Sequence, residues 1–261
     1  MNKALFAILA NTIILSSIYL FTFSADDLDF TQQSTQQITH YVWDRSLPAA
    51  TCMDRKCSDQ YLLNYDGKSF NQHGLWPSGS PTDQCFQPKF CTDKDYDEDL
   101  LNDDLKSWMD EHYVGLFSST KKFRQHEYEK HGSCMMEAQY MEDQELENFY
   151  FGKVKDIETK YDLIEAFEKA EIYPNDYKMY NYDDFEYALN SSWQGNFDIN
   201  LRCIYINKVQ YLAGVQLYMD MDLNLTKKQC VKKNYIQGQI EAQTLQPCNP
   251  KKQIKYPVFK K

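Results

Sequence analysis

His126-Glu127-Tyr128-Glu129-Lys130-His131-Gly132-Ser133-Cys134 packs two imidazoles, two carboxylates and an ammonium into its first six positions. A helix turning by ~100° per residue would hold His126, Lys130, Glu127 and His131 within an arc of roughly 140°, with Tyr128 and Glu129 directed elsewhere. Four titratable groups would then face one cleft, with Gly132 ending the face and Cys134 available to pin it. Taken alone, such a run reads equally well as a polar surface turn. A second stretch, Ser69-Phe70-Asn71-Gln72-His73-Gly74-Leu75-Trp76-Pro77, supplies a third histidine beside a tryptophan. Two histidines that titrate near an acidic operating pH can divide the roles of general acid and general base, and Lys130 adds permanent positive charge.

Around these two stretches the chain reads as an exported α+β protein. Residues 1–24 are apolar after a lone Lys3 and carry no acidic residue and no cysteine, the pattern of an export signal with cleavage near Ser24. Asn11, Thr12, Ser16 and Ser17 interrupt the apolar run, which favours removal. Were it kept as an anchor, Lys3 on the cytosolic side would still leave the rest of the chain in the lumen. Residues 25–37 form a linker, and 38–261 have the length and continuity of one domain, without repeats or a Gly/Ser/Pro divider. All eight cysteines, Cys52, Cys57, Cys85, Cys91, Cys134, Cys203, Cys230 and Cys248, follow the signal, and an even count in an exported chain argues for disulfides. The sequons at Asn190 and Asn224 suit glycosylation in the same compartment.

The formal charge of −10 makes the body a poor electrostatic trap for a polyanion at neutral pH. In an acidic compartment the histidines gain charge and some carboxylates lose theirs, which eases that repulsion.

Periodicity predicts short strands over Ile38 to Trp43 and Phe70 to Leu75, with His73 at or near a strand end where Gly74 and Pro77 break the pattern. Helical spacing links Leu100, Leu101, Leu105, Trp108, Met109 and His112, then Leu146, Phe149, Tyr150, Val154, Ile157 and Tyr161. A further helix through Leu163, Ile164 and Phe167 must finish by Pro174. Val209, Tyr211, Ala213, Val215, Leu217 and Met219 alternate as one face of a half-buried strand. Leu201 to Ile206 should pair with it through a tight turn at Asn207-Lys208. His40 and His112 belong to neither stretch, and His112, on the apolar side of its predicted helix, reads as a packed or capping histidine. The Asp93 to Asp104 run reads as a solvated loop and helix start, and the terminal lysines as a solvated tail.

His73-Gly74-Leu75-Trp76-Pro77 and His126 through Cys134 resemble the two active-site segments of the T2 family of secreted acid ribonucleases. The resemblance runs from about Ile38 to the C-terminus, whose Cys248 and Tyr256-Pro257-Val258-Phe259 look most like the animal-type members. It implies a ribonuclease T2-like α+β fold, with a mainly antiparallel sheet packed against helices and stabilised by disulfides. It further implies metal-independent, cofactor-free cleavage of single-stranded RNA, but not DNA, through a 2′,3′-cyclic phosphate at acidic pH. By matching motif, His131 resembles the general base and His73 the general acid, His126 the phosphate-binding residue, and Glu127 and Lys130 the groups that position and stabilise developing charge. Trp76 resembles the residue that stacks on a base, which gives affinity with little sequence preference.

Tyr128 stands where the family usually has tryptophan, and Ser78 where an aspartate is common; both changes bear on base preference. Trp43-Asp44-Arg45-Ser46 does not match the family's glutamine-tryptophan-proline run, so no second base site is carried over. By resemblance Cys52 pairs with Cys57, Cys134 with Cys85, and Cys203 with Cys248. Tyr218 replaces the usual partner of Cys230, leaving Cys91 and Cys230, while Cys85 and Cys91 are free to exchange roles. The expected protein is a monomer without stable membrane association after signal removal, either secreted or in the lumen of a lysosome or digestive vacuole.

Two rivals fit less well. A zincin helix needs histidines four residues apart, and His126 and His131 are five apart. An exported protein that keeps the fold but acts by partner binding would have no need to fill every matched catalytic position.

Overall fold

A computed structural model describes residues 38–58, 61, 65–79, 86–228 and 245–260. The export signal, the linker, Cys85 and Cys230 lie outside the described residues.

Among the described residues six strands form one sheet in the order β2-β1-β4-β3-β5, with β6 paired to β4. They are β1 (Ile38–Ser46), β2 (Asn71–Gly79), β3 (Ile199–Ile206), β4 (Val209–Met219), β5 (Gln246–Pro247) and β6 (Ile254–Lys255). All pairings are antiparallel except the short parallel contact of β6 with β4. The α-helices named among the described residues are α1 (Pro48–Asp54), α2 (Asp103–His112), α3 (Thr120–Lys130), α4 (Asp143–Lys160), α5 (Leu163–Lys169) and α6 (Tyr182–Trp193).

Several helical starts have a local cause. Asn102 caps α2 by accepting from Leu105 N–H, and Asp103 and Asp104 place negative charge on its first turn. This is the solvated helix start read from the Asp93 to Asp104 run. Asp162 caps α5, and a reciprocal Asn181–Asp184 box opens α6. The β3–β4 turn has Asn207 and Lys208 both at positive φ, 50° and 68°, as a two-residue hairpin of the right hand requires.

β4 departs from the simple alternation. Arg202 faces Gly214 while Cys203 faces Leu212, so Ala213 is an extra residue on β4. This bulge switches faces: Leu212 on one side of it and Val215, Leu217 and Met219 on the other all enter the main core, while Ala213 packs with Ala50 and Ile204. The strand is thus buried along both faces rather than half-buried. The main core is dominated by aromatic side chains, with Tyr150, Phe151, Phe167, Phe185 and Tyr256 among those fully buried.

Disulfides join Cys52 to Cys57 and Cys203 to Cys248, as the resemblance implies, and Cys134 to Cys91 rather than to Cys85. The choice of Cys91 also removes it as a partner for Cys230. Its neighbour explains the preference: Phe90 N–H donates to Lys130 carbonyl and Cys91 N–H to Ser133 Oγ, which docks this segment on the end of α3. Asn190 lies in the last turn of α6, and Asn224 is exposed with its side chain accepting from Lys160.

Arg45, buried on β1, is paired with Glu158 of α4, and Glu158 also accepts from Trp108 and contacts His112. His112 stacks on Trp108 at 5.5 Å, the packed role its position suggested. Burial works against charge on Glu158, but Arg45 and then His112 outweigh it and hold its pKa at about 2, against 4.5 for an ordinary glutamate. A depressed carboxylate contributes stability that is complete above about pH 4.5 and lost as pH falls toward 2. Glu158→Gln should therefore cost about 3 kcal/mol at neutral pH. In thermal melts across pH 7 to about 2, the gap from wild type should shrink steadily toward the acid end; a pH-independent gap would show that the charge is not what matters.

Candidate active site

The site is assembled from β2 on one side and α3 on the other. α3 has little apolar surface, yet Arg124, Glu127, Tyr128 and Lys130 are buried along it. Arg124 anchors it: its guanidinium reaches Glu98 at 2.5 Å and Asp110 at 2.8 Å and donates to Tyr113 carbonyl. Tyr128, fully buried, packs against Tyr96, Tyr150 and Phe151. The tyrosine-for-tryptophan change at this position therefore alters the core behind the helix and not a surface that a base would meet. Ser78 is likewise buried, with its hydroxyl on Trp76 carbonyl.

His73 is an interior residue of β2. Gly74 faces Asp44 while Gln72 faces Arg45, which leaves His73 as the extra residue of a bulge. The strand-end position expected from Gly74 and Pro77 is thus corrected: the strand continues to Gly79, and the irregularity lies at the histidine itself. Bulges re-aim side chains, and they are common beside active sites. Gly74 is required by close approach: a Cβ there would collide with Glu127 Oε2 and stand 2.5 Å from Trp76 Nε1.

These elements bring the cleft residues together. Glu127 Oε1 lies 3.8 Å from His73 Nε2, and Glu127 Oε2 accepts from Trp76 Nε1 at 3.0 Å. The Trp76 ring lies 5.2 Å from that of His73 and 5.3 Å from that of His131. Lys130 Nζ is 3.3 Å from His126 Nε2, and His126 is the exposed member of the pair. Trp76 itself is only 7% exposed and clusters with Val42 and Tyr218, so its contacts with Glu127 and both histidines define its surroundings more than open solvent does.

The two central histidines are driven in opposite directions. Burial disfavours charge on His73, but its hydrogen bond to Asp44 and the negative charges of Glu127 and Asp44 prevail, raising its pKa above 6.5. His131 is 4% exposed, and its Nδ1 has no hydrogen-bond partner among the described residues. Burial first, then the positive charges of Lys130, His73 and His126, push its pKa well below 6.5. Burial raises the pKa of Glu127 despite opposition from His73, Trp76 and Lys130. One imidazole thus tends to hold a proton while the other tends to stay free to take one. No group of three or more His, Cys, Asp or Glu side chains arranged to hold a metal ion occurs among the described residues.

The sequence reading missed Asp44, which stood in a segment set aside for its poor motif match. It is fully buried and its Oδ1 lies 3.2 Å from His73 Nδ1. An aspartate directly after the apolar run Tyr41-Val42-Trp43 was the available signal. Gly74→Ala should lower the rate at least ~10-fold by displacing Glu127 and Trp76, and overpacking should cost about 1–3 kcal/mol. Steady-state kinetics with a urea titration would check both; wild-type values would show that the approach is not tight.

The ribonuclease T2 family model matches residues 38–240. Over 190 residues the chain is 26% identical to Ribonuclease T2 of zebrafish (Danio rerio), a match spanning 72% of this chain and 71% of that protein. The solved structure of RNase NT in complex with 5′-AMP superposes with a TM-score of 0.66 at 22% identity, covering 86% of this chain and 100% of that one. Human RNase T2 gives 0.64 at 21% identity, covering 85% and 100%. Sheet order, helices and disulfides thus build a ribonuclease T2-like α+β fold, and the chain belongs to the ribonuclease T2 family.

Proposed function

We propose that this chain is an exported endoribonuclease that cuts single-stranded RNA by metal-independent transphosphorylation. The observation that carries this reading is the pair of imidazoles packed against one indole with opposed proton affinities, the division of labour that acid–base catalysis needs. His131, neutral, takes the proton of the ribose 2′-OH. The 2′-oxygen attacks phosphorus, the bond from phosphorus to the 5′-oxygen breaks, and His73 gives that oxygen its proton. The products are a 2′,3′-cyclic phosphate and a 5′-hydroxyl. Lys130 and His126 present positive charge to the phosphate oxygens, and Glu127 sets His73 and Trp76 in place.

Base preference should be weak. Trp76 offers little exposed surface, and stacking reads no hydrogen-bond pattern. The apolar N-terminal 24 residues, the three disulfides among the described residues and the sequons at Asn190 and Asn224 support export, with glycosylation, to an acidic lumen or the medium. Among the described residues no helix is long and apolar enough to cross a membrane.

In EDTA at about pH 5, wild type should convert single-stranded RNA to cyclic-phosphate ends and leave matched DNA intact, while His131→Ala should lose about 10²–10⁴-fold in rate. A requirement for divalent metal, or cleavage of DNA, would refute 2′-OH attack. The pH profile of kcat/KM should be bell-shaped. Its acid limb, set by deprotonation of His131, should lie well below 6.5, and its alkaline limb, set by loss of the His73 proton, above 6.5. Limbs in the reverse arrangement, traced by His73→Ala and His131→Ala, would exchange the two roles.

A further inference from the structure

Asp44 is the least expected residue near the site. It lies in the interior of β1, between β2 and β4, and is fully shielded from water. A buried carboxylate is costly unless its charge is paired and its lone pairs are filled. Here they are filled from three strands. Oδ2 accepts from Arg202 of β3 at 3.0 Å and from Gln216 of β4 at 2.9 Å, and Oδ1 faces His73 Nδ1 of β2 at 3.2 Å. Gln216 is the residue directly opposite Asp44 in the ladder, so its amide reaches the carboxylate across one strand spacing. The β2 bulge then aims His73 at the same carboxylate, and Tyr113 hydroxyl donates to the His73 carbonyl at 3.2 Å, holding the bulged backbone.

We infer that Asp44, clamped by Arg202 and Gln216, is a positioning residue that fixes His73 as the Nδ1-protonated tautomer and so reserves Nε2 for proton transfer in the cleft. The inference rests on the reading of His73 as general acid. A carboxylate that is already the acceptor of two donors can only accept from the imidazole, so Nδ1 must carry hydrogen in both protonation states. Nε2, which faces Glu127, is then the nitrogen that loses the transferable proton. In the step, the bond between phosphorus and the 5′-oxygen breaks and that oxygen takes the proton from Nε2. The imidazolium becomes a neutral ring still bonded through Nδ1–H to Asp44. The arrangement returns to its starting form when Nε2 is reprotonated from water. The charged groups that act on this imidazole are Asp44 on β1, Glu127 on α3 and Arg202 on β3, with His131 at the end of α3 also coupled to it. Arg202 opposes the proton on His73 and the two carboxylates favour it, so Arg202 serves to keep Asp44 ionised and not to charge the histidine.

Two measurements test this. In ¹⁵N-histidine-labelled wild type, with the His73 signals assigned by their loss in His73→Ala, neutral His73 should show a protonated Nδ1 and a bare Nε2. The opposite tautomer would overturn the proposal whatever the activity. In Asp44→Asn the alkaline limb of kcat/KM should move down by at least about half a pH unit, and kcat should fall about 10²-fold with KM changed by less than about threefold. Lower activity with an unshifted limb would reduce Asp44 to a structural role and overturn the proposal. Should Asp44→Asn fail to fold, the wild-type tautomer decides alone. If wild type instead made no cyclic phosphate, the reaction assigned to the site would fall, while the tautomer result would still report separately on Asp44.

Discussion

The buried guanidinium of Arg124 is the interaction on which the site depends most. A helix as polar as α3 has no apolar stripe with which to hold itself against the body of the protein. It is held instead by one cation reaching two carboxylates and a carbonyl. At its other end, Cys91–Cys134 and the Phe90 and Ser133 hydrogen bonds secure the last turn. The cation is buried while Glu98 is partly and Asp110 largely exposed, so water screens each attraction, yet the desolvated guanidinium still relies on both carboxylates. That load is placed on the element that presents Glu127, Lys130 and His131.

The opposite wall obeys a different constraint. β2 must come close enough for Trp76 and Glu127 to bond, and Gly74 is what permits it. It must also turn one imidazole out of the pleat, and an extra residue in the ladder does so. Backbone geometry therefore sets His73, whereas side-chain electrostatics sets the helix that leads into His131. Burial works against charge on both histidines; the anions around His73 overcome it, whereas the cations around His131 add to it, so their proton affinities move apart.

Much of this was legible in the sequence. The shared face of His126, Glu127, Lys130 and His131 follows from helical spacing alone, and the hairpin at Asn207-Lys208 from two adjacent runs with a short polar break. What could not be read depends on chain segments meeting in space. Cys134 had two candidates six residues apart, and only the docking of Phe90 on the end of α3 distinguishes them. The burial of Tyr128 depends on Tyr96 and Tyr150 arriving from elsewhere. α6 was missed although Tyr182, Phe185, Ala188 and Leu189 recur at helical spacing and Phe185, Ala188 and Leu189 are buried. Asp44 looked like a broken motif because Arg202 and Gln216, which make its charge tolerable, lie more than 150 residues away.

β1 carries opposite charges on consecutive residues, with Asp44 directed to Arg202, Gln216 and His73, and Arg45 to Glu158. Successive strand residues face opposite sides of a sheet. Sliding β1 by a single residue would set Arg45 beside Arg202 in one direction or Asp44 beside Glu158 in the other, a like-charge encounter away from water either way. Most strands depend on apolar patterning to reject such a slip. Here the penalty is electrostatic and meets a slip in either direction, so the charges that serve the site also proofread the central pairing of the sheet.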